Sequence, residues 1–139
     1  MTQLFKNGEL WGIDSINIGQ NPDLEKMYGF NFINYERFKA VFVLTLKSYL
    51  KFASETLKLS LPLHFIAGTT NIEGYKITAP HGFTFIEPMN CAGLAVEKQI
   101  IYEGIIEDYL TSPEVILLLF LRQVYDYFGL TLPEKEPIE

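Results

Sequence analysis

Two histidines and a cluster of three carboxylates are the residues of this chain that could most directly do chemistry. His64 sits in the apolar run Leu63-His-Phe-Ile-Ala-Gly-Thr-Thr70, and His81 sits in a Pro80-His-Gly82 turn. An imidazole changes charge near neutral pH and can move a proton or bind a metal. A metal centre would need both histidines plus a carboxylate such as Glu73 or Glu87, gathered by the fold. The helical His-x-x-x-His spacing that presents two ligands together does not occur. The plainer reading is a strand-edge His64 and a solvated His81. His81 is the better functional candidate of the two, because loops held by a scaffold often carry sites. Glu103, Glu107 and Asp108 cluster near the end of a strand-like stretch. Paired carboxylates can serve as acid and base or hold a divalent cation. In so acidic a chain an exposed acidic loop is the commoner arrangement. No catalytic residue, metal or cofactor is assigned from these groups. An enzyme using His81 with Glu103 or Asp108 is the least favoured reading.

Known motifs narrow the choice further. Gly68-Thr-Thr-Asn-Ile-Glu-Gly74-Tyr-Lys76 has neither the spacing nor the lysine position of a phosphate-binding loop. Gly-x-Gly-x-x-Gly and the Gly-x-Ser-x-Gly elbow of hydrolases are both lacking. Trp11 and Tyr75 lie beside turns. Exposed aromatics can stack bases, but RNA-binding modules ring them with Lys and Arg, as this sequence does not. Core packing or a protein interface suits them better. A pocket near His81, Tyr75 and Trp11 is the second functional reading, that of a small-ligand-binding regulator.

The chain has 139 residues, 48% of them hydrophobic and 14% aromatic, enough to fill one core. We expect a single domain over residues 1–132 and a flexible acidic tail over 133–139. Eleven basic against 17 acidic residues give a net charge of −6. Direct binding of nucleic acid by this chain alone is therefore not expected. Cys91 is the only cysteine, so an intramolecular disulfide is excluded and a reducing compartment is the natural reading. Residues 1–8 show no signal-peptide apolar core, and the longest apolar run, 115–121, is far short of the roughly 20 residues that span a bilayer. A cytoplasmic protein without a membrane partner is expected.

The elements follow from periodicity and punctuation. Residues 4–6 and 9–11 flank Asn7-Gly8, a hairpin signal. Residues 17–31 read as loop, with a short turn of helix near 23–27. Asn34 caps an amphipathic helix over about residues 35–58, with Phe38, Val41, Phe42, Thr45, Tyr49, Phe52 and Ala53 on its apolar face. Leu44, Leu46, Leu50 and Leu57 widen that stripe and call for a second layer. Residues 63–70 read as a strand, and 75–78 as its hairpin partner across Asn71-Ile-Glu-Gly74. Another strand is expected at 83–86, a loop at 88–93, and a last strand within 96–106, with Gly104 marking a bulge or a close approach. Ser112-Pro113-Glu114 opens the final helix and Gly129 closes it. Val115 to Leu121 is apolar on every face, which asks for cover on more than one side. Leu117, Phe120 and Leu121 are therefore candidate interface residues of a homo-oligomer. The order β-β-α-β-β-β-β-α predicts an α+β fold, an antiparallel sheet of five to six strands with two long helices on one face.

Three segments together resemble a known family. Leu4-Phe-Lys-Asn-Gly-Glu-Leu-Trp-Gly-Ile-Asp14 resembles the hairpin that follows the Schlafen/AlbA-type DNA-binding domain of bacterial regulators. Pro62-Leu-His-Phe-Ile-Ala-Gly-Thr-Thr-Asn-Ile-Glu-Gly-Tyr-Lys-Ile77 is similar to the strand and hairpin of that downstream region. Ala95-Val-Glu-Lys-Gln-Ile-Ile-Tyr-Glu-Gly-Ile-Ile-Glu-Asp108, with the helix ending Tyr-Phe-Gly129, looks like its closing strand, acidic pair and last helix. The Schlafen/AlbA module itself is absent from this chain, so none of its nucleic-acid functions transfers. The resemblance implies an accessory α+β domain of a regulator. The first functional expectation is thus a non-enzymatic interaction or sensor domain with a protein partner, self-associating through the last helix.

Overall fold

The computed structural model describes residues 2–4, 9–13, 26–27, 29, 31–78, 91–95 and 97–130. Strands lie at Thr2–Leu4 (β1), Leu10–Gly12 (β2), Phe32–Ile33 (β3), Leu63–Thr70 (β4), Lys76–Thr78 (β5), Cys91–Ala92 (β6) and Gln99–Ile106 (β7). Helices lie at Tyr35–Lys51 (α1), Pro113–Ile116 (α2) and Leu118–Tyr127 (α3), and a π-helical turn, Phe52–Thr56, follows α1. The Asn7-Gly8 turn, His81, the 83–86 strand and the 133–139 tail lie outside the described residues.

The α+β class stands, but the single antiparallel sheet of five to six strands does not. The described strands fall into three small sheets, β1–β2, β3–β5–β6 and β4–β7. The central one is mixed, because β3 runs parallel to β5, with Ile33 opposite Ile77. Its third strand, β6, falls where the sequence reads as loop. The decisive departure is at residues 71–75. Their residue types predict a hairpin that turns β5 back onto β4. Instead β4 pairs along its whole length with β7, from Leu63 opposite Ile106 to Thr70 opposite Gln99. Asn71 and Gly74 both adopt left-handed backbone, so the chain leaves the plane of β4 at a corner. The polar backbone of that corner bonds elsewhere. Ile72 donates to the Lys98 carbonyl (3.3 Å), Gly74 to Ala95 (2.8 Å) and Lys76 to Asn31 (3.0 Å). Burial explains the choice, since Ile72, Tyr75 and Ile77 all reach the core by this route.

The β4–β7 register is unbroken, so Gly104 makes no bulge. It allows a close approach instead. The ring of its cross-strand partner Phe65 lies over it, and Phe65 Cζ would stand 2.6 Å from a Cβ placed there. Tyr102 packs beside Phe65 with centroids 6.0 Å apart.

Asn34 caps α1 as expected, its Oδ1 accepting from the Arg37 N–H at 3.2 Å. The α-helix ends at Lys51, short of the expected residue 58. Ser54 Oγ donates to the Lys51 carbonyl (3.2 Å), which competes with the backbone for that acceptor. Leu57 N–H then reaches Phe52 O in a widened turn. The final helix also differs from a single rod. It breaks at Leu117, and Ser112 has extended cap dihedrals but no side-chain capping bond. Its end follows the expectation. Gly129 is left-handed, its N–H bonds Asp126 O (2.9 Å), and Leu130 N–H bonds Tyr125 O (3.0 Å). That pair of bonds is a Schellman motif.

Phe120 sits at the centre of the core. Its ring lies 4.9 Å from Phe42 and 6.1 Å from Phe38 on α1, and 6.3 Å from Tyr102 on β7. Gln123 Nε2 donates to the Ile101 carbonyl (3.4 Å), fastening α3 to β7. Helix α3 is therefore covered on two sides within one chain. A polar junction locks it further. The Tyr125 hydroxyl donates to Thr78 O (2.8 Å), Thr78 Oγ1 accepts from the Tyr35 N–H (2.9 Å), and the two tyrosine rings meet edge to face at 5.0 Å.

Two stability predictions follow from these buried polar groups. Tyr125→Phe removes the hydrogen bond to the Thr78 carbonyl and should lower unfolding free energy by about 1 kcal/mol in urea melts. Thr69 is buried on the inner face of β4, and its Oγ1 has no hydrogen-bond partner. Thr69→Val keeps the shape and removes that group, so it should leave the urea midpoint unchanged or raise it.

Candidate functional site

The described residues singled out in the sequence fall in different environments. Tyr75 is only 3% exposed and belongs to the core, whereas Trp11 is exposed on β2 and donates its indole N–H to Glu9 Oε2 at 3.3 Å. His81 lies outside the described residues. Leu117, Phe120 and Leu121 are 2%, 0% and 1% exposed. All three belong to the chain's own core, where α1 and β7 supply the cover that an all-round apolar helix demands. The apolar side chains that this closing segment does expose are Leu110, Val115 and Leu119.

The carboxylates also separate into different roles. Glu103 lies on the outward face of the β4–β7 ribbon, its Oε2 3.9 Å from His64 Nε2, with both side chains exposed. An open pair at that distance contributes at most about 1 kcal/mol. Asp108 builds a turn. Its Oδ1 accepts from the Thr111 N–H (2.7 Å), the Thr111 hydroxyl (2.9 Å) and the Leu110 N–H (2.9 Å). These bonds, led by the Thr111 N–H, hold the Asp108 carboxyl below its ordinary value of 3.8. The group acts as a local clamp on this turn. Among the described residues no group of three His, Cys, Asp or Glu side chains could hold a metal ion.

The Asp108 clamp shapes one exposed surface of the described residues. It holds Leu110 outward, 95% exposed. The flanking residues Tyr109 and Thr111 instead line a groove of about 200 Å³, together with Lys47, Leu50, Lys51, Ser54, Glu55 and Pro113. The Tyr109 hydroxyl donates to the Leu59 carbonyl (2.8 Å), tying this loop to the chain beyond the π-turn. Such π-turns recur at functional positions in helices. Lys47 and Lys51 stand one turn apart, and neither has an ion-pair partner among the described residues. A sequence signal for the clamp exists in Asp108-Tyr-Leu-Thr111 ahead of Ser112-Pro113, since Asp commonly bonds backbone two and three residues on. Nothing local signals the groove, whose two walls are distant in sequence.

A second open apolar surface lies on the ribbon. Ile66, Ile101 and Ile105 all point outward there, with Glu103 directly opposite Ile66 and two residues from each of the others. No helix among the described residues is long and apolar enough to cross a membrane. Comparison with protein-family models, with curated proteins and with solved structures finds no match.

The Asp108 clamp makes a pH-dependent prediction. A depressed carboxyl pKa stabilises the fold above the unfolded-state value, and the contribution is lost as pH falls through the folded-state value. Asp108→Ala should therefore lower the urea midpoint at neutral pH. The gap to the wild type should close once pH drops well below 3.8. Asp108→Asn retains an acceptor oxygen and should fall between the two at neutral pH.

Proposed function

We propose that this chain is a non-enzymatic protein-interaction domain, an accessory or sensor module of a regulatory protein, and that it self-associates through its closing segment, residues 107–119. The observation that carries this reading is Leu110, a leucine almost wholly in water on a loop held by three hydrogen bonds to one carboxylate. Burying such a side chain is worth about 1.5–3 kcal/mol, and the clamp keeps the loop from folding inward to collect it. Val115 and Leu119 extend the open apolar character along the same segment. The acidic balance of the chain agrees with a protein partner better than with a nucleic acid.

A second location for the same contact is supported by the three isoleucines on the ribbon, since an antiparallel pair with an apolar outer face has a side that gains from cover. The two locations are separable by experiment. Light scattering after size exclusion, over a concentration series, should show the mass rising from one chain towards two. Val115→Lys with Leu119→Lys should hold it at one chain with an unchanged far-UV spectrum, whereas Ile66→Lys with Ile101→Lys should not alter the series. The reverse pattern moves the contact to the ribbon. A wild-type mass of one chain at every concentration overturns self-association.

A further inference from the structure

We infer that the groove beside α1 receives the Leu110 side chain of a second copy of this chain, in a reciprocal two-fold contact. This rests on the self-association proposed above and names its geometry. A closed two-fold interface requires the projecting group and its receptor to lie on the same surface, so that each subunit gives and receives. Here they are adjacent in the chain, for Leu110 stands between Tyr109 and Thr111, which both line the groove. The subunit's own Leu110 is held away from it by the Asp108 hydrogen bonds.

Size and lining both favour one side chain as the occupant. At about 200 Å³ the groove is smaller than the roughly 300–1,000 Å³ of sites for drug-sized ligands. Leu50, Pro113 and the Tyr109 ring offer apolar contact, and Lys47 and Lys51 contribute positive charge. The segment that carries Leu110 is its electrostatic complement, with exposed Glu107 and Asp108 before it and Glu114 after it. Glu55 also lines the groove, but the two lysines outnumber it. In a chain of net charge −6, these lysines let a second acidic copy approach at this point. The two-fold axis repeats the match, so each subunit sets its acidic loop against its partner's lysines.

Sedimentation velocity on charge-swapped variants tests this directly. Lys51→Glu alone and Glu107→Lys alone each place like charges together twice per dimer. Each should raise the dissociation constant by about tenfold or more, a loss of about 1.4 kcal/mol. An equimolar mixture of the two variants pairs opposite charges at both contacts, and should recover a dimer near wild-type strength. Leu110→Asp should be monomeric, with a urea midpoint equal to that of the wild type at concentrations below the wild-type dissociation constant, since the side chain makes no contribution to the chain's own core. A wild-type dimer that tolerates Leu110→Asp and Lys51→Glu overturns the knob-and-groove contact and leaves self-association standing. Failure of the mixture to recover also overturns it. A wild type that stays monomeric removes both inferences.

Discussion

The fold is organised around Thr78. Its hydroxyl oxygen takes the N–H of Tyr35 at the start of α1, and its carbonyl takes the hydroxyl of Tyr125 on α3. One residue of a three-residue strand thus sets where two helices begin and rest. Buried polar groups left unpaired are costly, so these bonds allow little freedom in how the layers meet. With Tyr35 and Tyr125 fixed, Phe120 falls between the α1 phenylalanines and Tyr102, and the inner face of the ribbon is closed. The outward groups then follow. The same helix arrangement that buries Leu117, Phe120 and Leu121 leaves Leu110, Val115 and Leu119 in water.

Local signals read well from the sequence. Asn34, Ser112-Pro113 and Gly129 mark helix boundaries through chemistry confined to one turn, and β4 spans the residues that read as a strand. Pairing did not read, because Asn71 to Gly74 contain the residue types of a tight hairpin and of a corner alike. Only the burial of Ile72, Tyr75 and Ile77 distinguishes these, and that is a property of the assembled core. The end of α1 was missed for a similar reason, since its apolar spacing continues past Lys51 while Ser54 turns back on the last carbonyls.

The functional surface shows the same division. An apolar helix announces that it needs cover but not who supplies it, and here the chain itself does. The groove was illegible because Lys47 and Lys51 belong to α1 while Tyr109 and Thr111 come from a loop far along the chain. Its complement was partly legible, for the acidic pair Glu107-Asp108 stands out in the sequence. The two members of the pair differ in what they do. Asp108 shapes the loop, and Glu107 adds charge beside it.

The long-range partnership of β4 with β7 has a consequence for biosynthesis. A nascent chain presents β4 outside the ribosome before its partner Gln99–Ile106 has emerged. At about 5–20 residues per second, β4 waits on the order of seconds on the ribosome with the edge destined for β7 unoccupied. An unpaired strand edge is a template for pairing with other chains. Translation speed across residues 71–106, which includes the central sheet's last strands, therefore bears on how much of this protein pairs β4 with β7 rather than with another chain.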